Sequence, residues 1–313
     1  MALCGRVLFG INNIYTVDDG DALYQCRIKG KVLRSEPQAY NPIAAGDRVE
    51  LQPDPLCPGT GWILARLQRA SSLERWNKKR RSVQVLAANA ELLLVVASAQ
   101  SPPFRPRFAD RLLASGEAGG LEPVLALNKC DLGLDGQTQD RLRSYREAGY
   151  RVIECSAVSG QGCGEIRDLI GGRTAVFAGQ SGVGKSSLLN LLVPGLAQRV
   201  AGISEKYDRG VHTTSFARLF PLAGGGGVID TPGVREYEVA GIRPDELAGY
   251  FREFAAVPGR CGYAACRHRE EPGCAVREAV EGGLIHPDRF ESYLRMLEDL
   301  ELFYGGLHGR ARG

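Results

Sequence analysis

Hydrophobic residues in the first part of the chain come in short runs broken by polar turn clusters. Arg6-Val7-Leu8-Phe9, Ile14-Tyr15-Thr16-Val17, Leu23-Tyr24-Gln25-Cys26-Arg27-Ile28, Arg48-Val49-Glu50-Leu51 and Trp62-Ile63-Leu64-Ala65 carry the β-branched and aromatic residues of strands. Asp18-Asp19-Gly20-Asp21, Ala45-Gly46-Asp47 and Pro58-Gly59-Thr60-Gly61 are the turns between them. Five such strands within residues 1–70 predict a small β-barrel, such as an OB-fold.

Between about 85 and 235 the apolar runs lengthen and helical stretches separate them. Leu92-Leu93-Leu94-Val95-Val96, Val124-Leu125-Ala126-Leu127, Val152-Ile153-Glu154 and Thr174-Ala175-Val176-Phe177-Ala178 have strand length. Helices are predicted near Ala109–Ala118 and Thr138–Ala148. Continuous apolar strands joined by helices imply a mainly parallel sheet covered on both faces. Beyond residue 240 the chain becomes helical, and Phe290, Leu294, Leu297 and Leu300 mark one helix face. The division expected is a barrel over 1–70, an α/β domain over 71–235 and a mainly helical unit over 236–313.

A basic connector, residues 66–81, joins the barrel to the α/β domain. It holds Arg66, Arg69, Arg75, Lys78, Lys79, Arg80 and Arg81, with Trp76 among them. Such a run is either a solvated linker or a surface for RNA phosphates and stacked bases. Net charge over the 313 residues is only +3, so a phosphate-bearing partner must be met by a local patch. No signal-peptide pattern follows Met1, and the longest strongly apolar stretch, Leu92–Ala97, is too short to span a bilayer. Nine cysteines, an odd number, fit a reducing compartment, with metal binding preferred over disulfides. A cytoplasmic protein without membrane association is expected. Cys4, Cys26, Cys57, Cys155 and Cys163 are expected to be ordinary thiols.

Gly179-Gln180-Ser181-Gly182-Val183-Gly184-Lys185-Ser186 fits the phosphate-loop pattern, follows an apolar strand and opens a helix at Ser187-Leu188-Leu189. Its glycines let backbone N–H groups curl around a β-phosphate at a helix N-terminus. Lys185 is placed to bridge β- and γ-phosphates, and the Ser186 hydroxyl to bind Mg²⁺.

Asn128-Lys129-Cys130-Asp131 ends another buried strand. The Asp131 carboxylate can accept from guanine N1–H and the 2-amino group. Adenine offers neither donor, a mismatch that can cost on the order of 10⁴-fold. Ser156-Ala157, after the strand 151–154, is placed to donate backbone N–H to guanine O6.

Asp230 ends the run Gly227-Val228-Ile229 and is followed by Thr231-Pro232-Gly233. Asp230 can hold Mg²⁺ through water, and the Gly233 N–H can meet a γ-phosphate. Upstream, Val211-His212-Thr213-Thr214 forms a polar loop suited to closing on Mg²⁺, with either threonine as the ligand; Thr214 is carried as the candidate. Val234 stands where Ras-like enzymes carry a water-orienting Gln, and a Val cannot orient water. His212 is a candidate for that task, or else packs within its loop. Slow intrinsic hydrolysis that requires a partner is expected.

The base-reading motifs precede the phosphate loop, the reverse of the usual order. Motif order, barrel and a C-terminal Cys/His cluster together resemble the RsgA (YjeQ/EngC) family of circularly permuted GTPases, over nearly the whole chain. Gln84-Val85-Leu86-Ala87-Ala88-Asn89 is similar to that family's entry into its GTPase domain. Gly182 stands where permuted GTPases of the large subunit usually carry Asn. Ala90-Glu91 and Val211 depart from the family's common Val-Asp and Arg.

The cluster Cys261-x₄-Cys266-x-His268-x₅-Cys274 offers three thiolates and one imidazole, a closed structural zinc set, and it matches the family's zinc motif. The resemblance implies an OB-fold, a circularly permuted α/β P-loop GTPase domain and a zinc-binding helical domain. It also implies GTP hydrolysis late in assembly of the small (30S) ribosomal subunit. Mg²⁺ with GTP or GDP, one structural Zn²⁺, and the small subunit's rRNA are the expected partners of a monomer. Arg260, Arg267, Arg269 and the connector are candidate rRNA contacts. The alternative is an rRNA-binding assembly factor whose GTP turnover is incidental. The segment after Gly233 runs toward the helical unit, so the γ-phosphate is expected to influence that unit more than the barrel.

Overall fold

The computed structural model describes residues 2–30, 42–193, 195–196 and 216–310, with side chains to 305. Strands β1 (Leu3–Ile11), β2 (Ile14–Asp18), β3 (Leu23–Ile28), β4 (Arg48–Pro53) and β5 (Thr60–Arg66) form a closed barrel in the order β1-β2-β3-β5-β4. Alternation along each strand places Val7, Val17, Cys26, Val49, Leu51 and Ile63 inside, all fully buried. Parallel pairing of β3 with β5 and antiparallel pairing of β1 with β4 remove both sheet edges. The expected OB-like barrel is therefore present.

The basic connector folds rather than trailing through solvent. β6 (Ser72–Asn77) and β7 (Ser82–Ala88) make an antiparallel hairpin with residues 78–81 at its tip. Local sequence hid it because its apolar partners are distant. The Trp76 ring packs edge-on against Phe303 at 4.5 Å, and the Trp76 backbone N–H donates to the Glu238 carbonyl at 3.0 Å. Val239 bridges to Arg75, and the Tyr237 hydroxyl donates to the Glu74 carbonyl.

A six-stranded sheet follows, in the order β10-β9-β8-β11-β13-β12. Its members are β8 (Leu92–Ser98), β9 (Glu122–Asn128), β10 (Arg151–Glu154), β11 (Thr174–Gly179), β12 (Arg218–Pro221) and β13 (Gly227–Asp230). All neighbours pair in parallel except the edge strand β12. One face is covered by α1 (Pro106–Ala118) and α2 (Gly136–Glu147), the other by α3 (Cys163–Ile170) and α4 (Lys185–Leu192). Pro106 starts α1 at a position where a missing N–H costs nothing. Asp135 caps α2, accepting from the Thr138 N–H at 2.7 Å. The strands β9, β10, β11 and β13 all release their loops at the same C-terminal edge, the place where open α/β sheets bind ligands.

The C-terminal part contains α5 (Arg252–Ala255), α6 (Ala275–Glu281) and α7 (Pro287–Arg310). Its anchorage is the main departure from expectation. The chain after Gly233 does not lead freely to the helices. Val234 pairs with Gln180 of the phosphate loop, and Val239 then pairs with the hairpin. The helices dock instead on α1 and α2, the base-reading half. Arg289 of α7 is 2 % exposed and meets Asp110 of α1 at 2.6 Å and Glu253 at 2.7 Å. The Tyr145 hydroxyl of α2 donates to the same Asp110 carboxylate at 2.6 Å. Arg141 with Asp288, and Arg252 with Glu117, extend the contact.

Candidate nucleotide site and metal centre

β11 runs directly into the phosphate loop, and α4 begins at Lys185 with Gly184 as its left-handed cap (φ 91°). Gly184 is required twice over. The positive φ suits only glycine, and a Cβ there would sit 2.3 Å from the Asn128 side-chain nitrogen. Val183 anchors the loop, its side chain buried against the core beneath α4. Ser181, Ser186 and Ser187 are exposed, the last two in the first turn of α4. Lys185 is 7 % exposed, and its Nζ donates to the carbonyls of Gly179 (3.0 Å) and Gln180 (2.9 Å). Burial pushes its ammonium down to about 8, against the opposing pull of Asp230.

The base-reading motifs are tied to this loop. Asn128 is buried, donating to the Val183 carbonyl at 2.9 Å and accepting from the Ala157 N–H at 3.0 Å. Lys129 takes a left-handed φ of 64°, and its Nζ donates to the carbonyls of Gly182 (2.9 Å) and Ser101. Asp131 stands exposed on a short 3-10 turn, open to a base. Ser156 is fully buried, and its hydroxyl accepts from the N–H groups of Val158 and Ser159, shaping the loop beside Asp131. The Ala157 N–H, expected to face guanine O6, is engaged by Asn128.

Asp230 ends β13, 8 % exposed. Thr231 locks the following loop by donating to the Phe177 carbonyl at 2.7 Å. Gly233 lies against the phosphate loop, where a Cβ would be 3.0 Å from Lys185 Nζ and 3.1 Å from the Ser181 Cα. Any larger residue would displace one or the other. The structure thus gathers Asn128, Lys129, Asp131, Ser156, Ala157, residues 179–187, Asp230 and Gly233 around one edge of the sheet. His212, Thr213 and Thr214 lie outside the described residues.

The Cys/His cluster forms a second centre. The donor atoms of Cys261, Cys266, His268 and Cys274 all lie within 4.8 Å of one another. His268 Nδ1 is 3.6 Å from the Cys261 sulfur and 3.3 Å from the Cys274 sulfur. Tetrahedral zinc, with Zn–S of about 2.3 Å and Zn–N of about 2.0–2.1 Å, sets N···S near ~3.6 Å and S···S near ~3.8 Å. The donor set and its spacing fit that ion. Burial pushes the Cys266 thiol up to about 12 and His268 down, so a thiolate at Cys266 would need the charge of a bound dication. Phe254 and Tyr293 close over His268 with centroids at 5.5 Å and 6.0 Å. All nine cysteines are free of disulfides.

No local motif marked Arg289, Asp110 or Arg218, because each acquires its partners only across the fold.

A parallel sheet with a phosphate loop at its centre, reached only after the base-reading strands, defines the class: a circularly permuted P-loop GTPase. Two family models match the chain, the RsgA GTPase over residues 66–240 and the RsgA N-terminal domain over 4–63. The chain belongs to the RsgA GTPase family and is a GTP hydrolase. It is 40% identical over 295 residues to the small ribosomal subunit biogenesis GTPase RsgA of Chlorobaculum parvum, covering 92% of this chain and 94% of that one. A relative of the same name from Moorella thermoacetica is 39% identical over 296 residues, covering 95% and 97%. The crystal structure of YjeQ from Thermotoga maritima superposes with a TM-score of 0.73 at 33% identity, covering 96% of this chain and 99% of that one. That of YloQ, a circularly permuted GTPase, gives 0.69 at 29% identity and covers 96% of each chain.

Proposed function

We propose that this GTPase binds the small ribosomal subunit late in its assembly and couples hydrolysis of GTP to GDP and phosphate to the subunit's maturation and its own release. The names of its relatives support the partner. The observation that carries the mechanism is the position of Gly233 against both Lys185 and Ser181, which supports its reading as the γ-phosphate sensor.

Backbone N–H groups of residues 179–187 cradle the phosphates, and Lys185 leaves the Gly179 and Gln180 carbonyls to bridge β and γ. Asp131 reads the guanine N1–H and 2-amino group. Asn128 and Lys129 fasten the base-reading loop to the phosphate loop. Ser186, Asp230 and Thr214 would hold Mg²⁺, which neutralises charge on the β- and γ-oxygens when bound. Val234 supplies no polar group, so His212 orients water only once the subunit completes the site. The Cys₃His set holds one structural zinc, and its closed shell leaves no position for substrate. The barrel (1–70), GTPase domain (71–235) and zinc-binding domain (236–313) act together in a monomeric, cytoplasmic protein. Among the described residues no helix is long and apolar enough to cross a membrane. The hairpin tip, with Arg260, Arg267 and Arg269, presents positive charge to rRNA.

GTP hydrolysis measured with and without purified small subunits, beside Lys185→Ala, tests the reading. Slow basal turnover, stimulated by the subunit and abolished in Lys185→Ala, is expected. Tight subunit binding without stimulation would instead indicate an rRNA-binding factor with incidental turnover.

A further inference from the structure

The loop after β8 fits none of the nucleotide-binding motifs, yet it meets both halves of the site. The Gln100 side-chain nitrogen donates to the Leu132 carbonyl at 2.8 Å and to the Gly133 carbonyl at 3.2 Å. Both partners only accept, so the amide must turn its nitrogen toward them. Leu132 ends the 3-10 turn that carries Asp131, and Gly133 follows it. Beside Gln100, the Ser101 carbonyl accepts from Lys129 Nζ, which also donates to the Gly182 carbonyl. The Ala99 N–H donates to the Asn128 carbonyl at 2.9 Å, and the Ser98 hydroxyl to the Pro102 carbonyl at 2.6 Å. The loop is thus fixed on either side of Gln100, which reaches across to the turn. That turn is held unevenly. At its start, the Cys130 thiol donates to the Leu127 carbonyl at 3.0 Å and the Cys130 N–H to the Cys155 carbonyl at 3.1 Å. Its end closes only on itself, the Leu132 N–H donating to the Lys129 carbonyl and the Gly133 N–H to the Cys130 carbonyl. Among the described residues, the hydrogen bonds shown reaching this end from elsewhere in the fold are those of Gln100.

We infer that Gln100 is a positioning residue for guanine specificity: by tethering the Leu132 and Gly133 carbonyls it sets the angle at which Asp131 meets the base. The inference rests on Asp131 reading guanine N1–H and the 2-amino group. That recognition needs two donors of the base to meet two oxygens of one carboxylate at once, so it depends on angle as well as distance. A turn fastened only at its start can pivot about Cys130, keeping one of the two bonds while the other lengthens. Gln100 removes that freedom at the residue directly after Asp131. It touches neither the base nor the phosphates. Its loss therefore falls on discrimination between bases and leaves the phosphate contacts of residues 179–187 as they were.

The experiment compares equilibrium binding of GDP and of inosine diphosphate, which lacks the 2-amino group, to the full chain. Wild type should prefer GDP by at least about tenfold, the worth of one hydrogen bond to a charged acceptor. Gln100→Met keeps the length of the side chain and removes the donor. It should weaken GDP about three- to tenfold and inosine diphosphate by less than about twofold, so the preference shrinks. Gln100→Lys, which restores an N–H donor of similar reach, should recover most of the preference. Gln100 is exposed, so these variants leave the core intact. In an Asp131→Ala background Gln100→Met should have no further effect on the ratio, since both act on one recognition event. An unchanged ratio in Gln100→Met, or an equal loss of both nucleotides, overturns the inference. A wild type without preference for GDP, or Asp131→Ala with the preference intact, would instead overturn the reading of Asp131 and the inference with it.

Discussion

Asn128 and Val183 are 55 residues apart in sequence, yet the Asn128 amide donates to the Val183 carbonyl at 2.9 Å. The same side chain accepts from the Ala157 N–H. One buried amide thus sets the spacing between the loop proposed to read the base and the loop proposed to hold the phosphates. Asn128→Ala removes both bonds and leaves the Val183 carbonyl unpaired. Each buried bond contributes about 1 kcal/mol, and an orphaned carbonyl costs about 1–3 kcal/mol more. GDP and GTP affinity should fall together, roughly 30-fold or more, in equilibrium binding. A selective loss of one nucleotide would contradict this reading.

Lys185 titrates near 8 in the free protein, below its ordinary 10.5. Between these values the unfolded chain binds the proton and the folded chain does not. For this group, stability of the nucleotide-free protein rises with pH across that window and is constant below about 8. A bound phosphate restores the proton. Nucleotide binding should therefore take up a proton at pH 9, and affinity should fall up to about tenfold per unit above pH 8. Calorimetry in two buffers of different ionisation enthalpy measures the uptake, and zero uptake at pH 9 refutes it.

Cys274 is 2 % exposed and lies 3.3 Å from His268 Nδ1. Cys274→Ser should remove the metal, reducing bound zinc from one per chain to none by elemental analysis. Strong chelation should do the same to the wild type, with loss of protection around residues 261–274. The Arg289 cluster keeps α7 docked, so GDP binding should survive with only a small change. Wild-type zinc content in the variant would exclude this residue as a ligand.

Arg289 neutralises Asp110 and Glu253 in a site closed by Phe251, Tyr145 and Tyr150. Arg289→Met leaves two buried carboxylates without a counterion. Breaking a buried pair from one side costs about 3–5 kcal/mol. Denaturant unfolding should show a loss of that order, and undocking of α7 should precede the main transition. A loss below about 1 kcal/mol would show the charges to be hydrated in the folded state.

The hairpin tip carries Lys78, Lys79, Arg80 and Arg81, and Lys78 is paired with Glu238. Reversing all four charges should weaken binding to small ribosomal subunits and flatten its dependence on salt, because fewer counterions are released. Lys79 and Arg81 should each contribute more than the ion-paired Lys78. An unchanged salt slope would place the rRNA contact elsewhere.

Much of this protein was legible before folding was considered. Five short strand-like runs separated by turn clusters within residues 1–70 made the barrel legible, because strand and turn residues are chosen by local backbone demands. The phosphate loop, the base readers and Asp230 were readable because phosphate and guanine recognition each demand particular groups at short spacing. The Cys₃His set was readable for the same reason: its four donors lie within fourteen residues. The hairpin was not readable, because Trp76, Phe303, Glu238 and Val239 meet only across more than 160 residues. Nor was the anchorage of the helical unit. Sequence adjacency tied it to the γ-phosphate reader, whereas Arg289 and Asp110, 179 residues apart, bind it to the base-reading helices. Chemistry carried by neighbouring residues is written along the chain. Which charge is buried against which, and so which parts move together, depends on the desolvated contacts that only tertiary packing creates.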